Sequence, residues 1–167
     1  MVSKLGRVGL DEALLACPRD AEFLAPIPWA PASAALSEKI GPMFSTFRGK
    51  RDDARKIRML DAQSLWDATM AKSISSQLEA DSKRRVLHLC GRFHCEHWLG
   101  IPEHLGHYLP TGGLSKGSTR LVVCISSEGA FGESSLSDAD IISGGYLNGI
   151  ADFVVLCEAP PANDQGQ

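Results

Sequence analysis

Three short apolar runs constrain the fold of this chain more than any other feature. They are rich in β-branched residues, show no alternation with polar groups, and span Val86–Cys90, Arg120–Ser126 and Asp152–Cys157. Strands covered on both faces have this pattern, as in a parallel sheet with helices on each side. The runs therefore predict an α/β fold with a mostly parallel sheet flanked by helices.

The segment from residue 52 to residue 80 predicts one long helix, because it contains neither Pro nor Gly. An apolar stripe along it is formed at four-residue spacing by Trp66, Met70, Ile74 and Leu78. Gln63 and Asp67 are also four residues apart, and we expect them to flank the buried face. Shorter helices are predicted at Asp11–Cys17, Ser33–Ile40 and after Gly100.

Composition limits the class of protein and its partners. The 167 residues are 44% hydrophobic with a formal net charge of -3, which favours a soluble globular domain and argues against nucleic acid as the main partner. We expect no signal peptide and no membrane span. The five cysteines suggest no disulfide framework and favour a reducing compartment, with Cys90, Cys124 and Cys157 expected in the core.

His94 is the strongest candidate for chemistry. It follows the first predicted strand after Gly91, which we expect to let the backbone turn sharply as it leaves the sheet. Ligands bind in the crevice beyond the carboxyl ends of parallel strands. An imidazole there can be an axial haem ligand, a zinc or iron ligand, or a general base. The alternative is a histidine that caps a turn or bonds a carbonyl.

Other candidates surround this motif. His97 can share a metal with His94 if the loop begins a helix, and Cys95 is either a thiolate ligand or a partly exposed thiol. Tyr108 offers a phenolate to ferric iron or simply packs. We expect His88 in the core, and His104 and His107 on the surface. Gln63 and Asp67 either orient a ligand histidine or make ordinary capping and tertiary hydrogen bonds.

Several of these residues fit a known pattern. The segment Ala62–Ala71 resembles the "AQ–x–x–W/D–x–x–MA" helix of the ChaN-like haem-binding uptake proteins of the Tiki superfamily. Gly91-Arg-Phe-His94, followed by Gly100-Ile-Pro102 and Leu105, looks like that family's "G-x-x-H … G-I/V-P-x-x-L" segment, and Ala151–Val155 looks like its last strand. The resemblance covers about residues 55–157.

The resemblance implies a parallel-sheet α/β fold that binds haem or iron. It assigns Gly91, His94, Gln63 and Asp67 to the cofactor site, and we add Tyr108 as a candidate cofactor contact because of its phenolate chemistry. Residues 1–54 lack the family's earlier strand with its acidic residue and histidine, so we expect a truncated, C-terminal portion of the domain. The predicted parts are an irregular arm with short helices at 1–54, the ChaN-like domain at 55–158 and a disordered tail at 159–167.

Three functions follow as hypotheses, and whether the chain is an enzyme stays open. The first is haem or iron binding, with His94 and His97 as metal ligands. The second is a metal-dependent hydrolase of the Tiki or erythromycin-esterase type. The third is a non-catalytic remnant that acts as an interaction module, whose open sheet edge would favour a homodimer. We predict no catalytic residue, and the compartment stays unassigned.

Overall fold

The computed structural model describes residues 2–44, 50–81, 83–109, 119–126, 145 and 147–157. The chain divides into two compact units, Met1–Ser115 and Lys116–Gln167. The described part of the first unit is helical, and that of the second contains two strands. In these described residues, no helix is both long enough and apolar enough to cross a membrane. The predicted tail at 159–167 and the side chain of Cys157 lie outside the described residues.

The first unit is built around one long helix. Its helices are α1 (Val2–Val8), α2 (Leu10–Ala16), α3 (Ala34–Ile40), α4 (Lys50–Ala80) and α5 (Ile101–Tyr108). Short 3-10 turns lie at Pro18–Phe23, Gly41–Phe44, Arg92–His94 and Glu96–Trp98. The predicted long helix is confirmed, as are the shorter ones. At α3, the Ser33 hydroxyl accepts a 3.0 Å hydrogen bond from the Leu36 amide, which caps the helix.

Small residues on α4 set where its neighbours pack. One core cluster joins α4 to the N-terminal helices and contains Leu5, Ala13, Ala25, Ala62, Leu65 and Ala68. A second joins it to α5 and contains Ala71, Ile101 and Leu105. The predicted apolar stripe is confirmed in part, since Met70 and Ile74 pack against the second cluster, whereas Trp66 is 51% exposed. Alanines form much of the buried face and allow the helices to approach closely.

The segment Val86–Cys90 is not a strand in the structure, contrary to the prediction. Its backbone belongs to no ladder among the described residues, and the Leu87 and Leu89 side chains are 86% and 83% exposed. A strand needs a hydrogen-bonded neighbour as well as apolar side chains, and here none is described. His88 and Cys90 are consequently exposed, so their expected places in the core are wrong.

The second unit confirms the other two strands. β1 (Val122–Ser126) and β2 (Phe153–Cys157) pair in parallel, with Val122 opposite Phe153 and Ser126 opposite Cys157. Asp152 fixes the start of the ladder, since its Oδ2 accepts a 2.7 Å bond from the Leu121 amide. A mixed α/β architecture is compatible with this mostly helical structure and its parallel pair.

The sequence predicts that both faces of this sheet are buried, but in the structure only one face is buried. Along β1, Val123 and Ile125 are each 2% exposed, whereas Val122 is 52% exposed. Phe153, opposite Val122, is 57% exposed. Because successive side chains point to opposite faces, Cys124 lies on the exposed face with Val122 rather than in the core.

Candidate functional site

The centre of the candidate site is a carboxylate–imidazole pair. Asp67 lies on α4 and its side chain is fully buried, with Oδ1 2.5 Å from His94 Nδ1. A carboxylate oxygen only accepts hydrogen bonds, so the Nδ1 proton is donated to Asp67. This tautomer leaves Nε2 as the ring nitrogen available to a ligand. The His94 side chain as a whole is 17% exposed.

Gln63 completes the polar set from one turn earlier on α4. Its Nε2 donates to both oxygens of Asp67, at 3.3 and 3.4 Å, and lies 2.8 Å from His94 Nδ1. Gln63 and Asp67, which are four residues apart on α4, therefore both contact His94, which lies 27 residues after Asp67 in the chain. The structure brings together the three residues that the resemblance groups, while their role toward a cofactor stays a prediction.

Gly100 occupies the closest contact in the site. Its φ of 69° and ψ of -114° are values that glycine alone adopts readily. A Cβ atom there would lie 2.7 Å from the His94 carbonyl oxygen and 2.8 Å from Asp67 Oδ2. Gly100 belongs to the segment that resembles the family but is not among the predicted site residues. The signal that points to it is the glycine directly before Ile101-Pro102, at the start of α5.

Gly91 does not have the predicted conformational role. Its φ of -63° and ψ of 144° are open to any residue. A Cβ atom would lie 3.7 Å from His94 Cδ2, which is ordinary contact. The sharp turn that was expected at Gly91 is instead made by the 3-10 turn at Arg92–His94, with the His94 amide bonded to the Gly91 carbonyl at 3.0 Å.

Lys39 on α3 anchors the loop that carries His94. Its Nζ donates to the backbone oxygens of Phe93 and Glu96 at 3.3 and 3.2 Å, and pairs with Glu96 Oε1 at 3.3 Å. Glu96 is 7% exposed, and its other oxygen lies 3.6 Å from Arg92 Nε. The sequence does not predict this anchor, because Lys39 is separated from Phe93 by 54 positions and from Glu96 by 57, and no local pattern links residues so far apart.

Trp66 is an aromatic side chain that contacts the His94 ring. The two rings meet edge to face with centroids 5.4 Å apart, and Trp66 is 51% exposed. Phe93, the residue before His94, is 41% exposed. Burial, followed by the charge of His94, lowers the pKa of His88. The imidazole therefore contacts an aromatic surface that is partly open to solvent.

Two predicted contacts lie apart from this pair. His97 is exposed and has a left-handed backbone, with φ of 61°. Tyr108 packs with both core clusters, and Lys72 Nζ lies 5.8 Å from the centre of its ring. Burial raises the pKa of the Tyr108 phenol, so it stays protonated at neutral pH. Neither residue makes a described contact with the His94–Asp67 pair.

His104 is buried, not on the surface as expected. Its side chain is 3% exposed, and Nε2 lies 3.2 Å from Ser64 Oγ, which donates to the Ala30 carbonyl at 2.9 Å. Since that hydroxyl proton is already used, Ser64 accepts from Nε2. Burial lowers the pKa of His104 and keeps the ring neutral. His107, on the next turn, is exposed as predicted.

No group of three or more His, Cys, Asp or Glu side chains arranged to hold a metal ion occurs among the described residues. What the geometry offers is one oriented imidazole nitrogen beside a buried carboxylate. Such a nitrogen can serve as an axial ligand to a metal that brings its own equatorial ligands, or as a base.

Comparison with known proteins identifies the family. The family model for "Haem-binding uptake, Tiki superfamily, ChaN" matches residues 1–105, which is more than half of the chain. The match overlaps the resemblance, which covers about residues 55–157, at residues 55–105, and the truncation of the domain stays a prediction. It also crosses the predicted boundary at 54, which stays a prediction. No curated protein and no solved structure matches the chain. The chain therefore belongs to the ChaN type of haem-binding uptake proteins in the Tiki superfamily.

Proposed function

We propose that the chain binds haem with His94 Nε2 as an axial ligand to the iron. The observation that carries the proposal is the hydrogen bond from His94 Nδ1 to the buried Asp67 carboxylate, 2.5 Å long. Ligand histidines commonly donate their other ring N–H to a carboxylate, which fixes the tautomer and makes the free nitrogen more basic. The family assignment supplies the identity of the ligand class.

The surroundings of His94 suit a large apolar macrocycle. Haem needs a ligand for its iron, a role that an imidazole nitrogen fills, and an apolar surface on which its ring can lie. Trp66, which is 51% exposed, meets the imidazole edge to face, and Phe93, the residue before His94, is 41% exposed. Exposed apolar side chains grouped at one point often mark a ligand site. Bound haem would supply a redox-active iron centre.

Asp67 and Gln63 act on the ligand rather than on the iron in this proposal. Asp67 holds the Nδ1 proton, and Gln63 donates to the same carboxylate, which keeps its oxygens directed at the ring. His97 and Tyr108, also predicted as metal or cofactor contacts, stay predictions. The hydrolase hypothesis is not carried further, because no described geometry favours it over a single-ligand site.

The test is a titration of the purified chain with hemin, followed by the Soret band. We expect a shifted band for the wild type and its loss in His94→Ala. His107→Ala removes an exposed histidine from the same unit and is the matched control, which should bind like the wild type. His97→Ala and Tyr108→Phe test the two remaining contacts. A Soret shift that persists unchanged in His94→Ala would refute the proposal.

A further inference from the structure

His104 on α5 has one ring nitrogen that its protein contacts do not use. The side chain is 3% exposed, and Nε2 lies 3.2 Å from Ser64 Oγ. Since the Ser64 hydroxyl donates to the Ala30 carbonyl, Nε2 carries the ring proton and donates it to Ser64. Nδ1 is therefore an unprotonated acceptor. It is buried and has no hydrogen-bond partner among the described residues.

A buried acceptor of this kind points to a ligand. Nearly all buried polar atoms in folded proteins have a partner, and one without a protein partner generally meets a water molecule or an ion. The nitrogen of a neutral imidazole can accept a hydrogen bond from water or coordinate a metal. Burial lowers the pKa of His104, so the ring is in the neutral form that a metal requires.

His107 provides a second imidazole beside the first. It follows three residues later on α5, so both side chains lie on the same face of the helix. The two ring centroids are 6.3 Å apart, and the ring planes are tilted by 55°. Two imidazoles that each place a nitrogen 2.0–2.1 Å from one zinc ion have centroids about 5–6 Å apart. Because the His107 side chain is exposed, a modest rotation of its ring can supply this geometry.

We propose that His104 and His107 bind one divalent ion of the zinc, nickel and copper class, with His104 Nδ1 as the buried ligand. Imidazole is a preferred ligand of these three metals. The described residues contain no group of three or more ligand side chains, so water completes the coordination shell of this two-histidine site. The exposed His107 gives the ion its path from solvent.

Ser64 distinguishes this pair from two histidines that merely share a helix face. Histidines that bind metals commonly donate their other ring N–H to an outer partner, which fixes the tautomer and the orientation of the ring. Here Nε2 donates to Ser64, and Ser64 donates to the Ala30 carbonyl. Ser64 is fully buried on α4, so core packing holds the ligand in place. A purely structural role explains the bond at Nε2 but leaves Nδ1 unused.

This pair is separate from the site at His94. Ser64 precedes Asp67 by three residues on α4, but the described side-chain hydrogen bonds of Asp67 run to Gln63 and His94 and not to this pair. The proposal therefore does not rest on haem binding. Failure of one proposal would leave the other unaffected, because the two are read from different histidines.

The test is a titration of the full chain, labelled with nitrogen-15, with Zn²⁺ alone at neutral pH, followed by NMR of the imidazole nitrogens. Signals resolved for each histidine are needed because cysteine thiolates also bind zinc. We expect His104 Nδ1 and one nitrogen of His107 to shift with a common midpoint. The proton on His104 Nε2 should stay in place throughout.

The variants separate the ligand, its support and the background. His107→Ala removes an exposed side chain and should raise the Zn²⁺ concentration at the His104 midpoint by at least about 10-fold. Ser64→Ala should raise it by about 10-fold, the usual effect of losing an outer partner. His88→Ala removes another exposed histidine and is the matched control, which should keep the wild-type midpoint.

Two results would overturn the proposal. One is a His104 Nδ1 signal that does not move at saturating Zn²⁺, as expected if this nitrogen meets only water. The other is a His104 midpoint that is the same in His107→Ala as in the wild type, since His107 would then not share the ion.

Discussion

The helix side and the loop side of the His94 site are held by different means. On the helix side, Asp67 is fully buried on α4, where the core packing of the first unit fixes its position. On the loop side, His94 lies in a short 3-10 turn whose position depends on hydrogen bonds from Lys39 and on a buried Glu96. A buried carboxylate on a packed helix thus orients an imidazole on a loop that fewer contacts hold in place.

This difference predicts which side of the site should lose more stability when a single contact is removed. Packing contacts on α4 are many and individually small, so the helix side tolerates the loss of any one of them. The loop side relies on a few directional contacts, and each one removed frees the turn. Gly100 is where the sides touch, because its missing side chain leaves room for both the His94 carbonyl and Asp67 Oδ2.

The largest effect is expected for Gly100→Ala. The positive φ costs about 1–3 kcal/mol for a non-glycine residue, and the forced contacts at 2.7 and 2.8 Å add overpacking. We expect a loss of about 2–4 kcal/mol in the free energy of unfolding, measured with urea, together with loss of hemin binding. Gly41→Ala is the matched control, since a Cβ there meets nothing within 4 Å, and it should be close to neutral. Equal stability of the two variants would contradict the close contact at Gly100.

Asp67→Asn tests the helix side alone. The amide is isosteric and keeps the packing, but it removes the charge that holds the His94 Nδ1 proton. We expect hemin affinity to fall by about 10- to 100-fold, the usual effect of removing a carboxylate behind a ligand histidine. Asp61→Asn, on the same helix, is the matched control. If both variants bind hemin like the wild type, Asp67 does not orient the ligand.

How far the sequence anticipates this site depends on the range of the interactions. Helix α4, the short helix at Ser33–Ile40 and the parallel pairing of β1 and β2 follow from local patterns, and all are confirmed. The grouping of Asp67 with His94 was one of two alternatives for the polar pair on α4, and the family resemblance supported it. Spacing alone does not bring together residues 27 positions apart.

The features that the sequence could not predict depend on contacts with residues that are distant in the chain. The run Val86–Cys90 has the composition of β1, yet only β1 has a described neighbour strand. Apolar content reports a preference for burial and not the presence of a pairing edge. The contacts of Lys39 and the positive φ of Gly100 likewise arise from the tertiary structure.

Lys39→Met tests the loop side. The substitution keeps the length of the side chain and removes two backbone hydrogen bonds and the partner of the buried Glu96. We expect a loss of about 1–3 kcal/mol in the free energy of unfolding, with a smaller fall in hemin affinity than in Asp67→Asn. Lys72→Met is the matched control, because its ion pair with Glu79 is 3.7 Å long and half-exposed, and such pairs contribute about 0–1 kcal/mol. A larger loss from Lys72→Met than from Lys39→Met would show that the loop is not anchored at Lys39.

The smallest effect, and one of opposite sign, is expected at His97. Its φ of 61°, followed by 62° at Trp98, places two successive non-glycine residues in the left-handed region, which costs about 1–2 kcal/mol per residue. His97→Gly relieves this cost at one position, whereas His97→Ala removes the same side chain and keeps the strain. We therefore expect the glycine variant to be about 1 kcal/mol more stable than the alanine variant in urea unfolding.

Hemin affinity distinguishes a His97 that contacts the cofactor from a His97 that does not. Equal affinity in both variants and the wild type would leave His94 as the sole ligand on the loop, while an equal loss in both variants would make His97 a second contact.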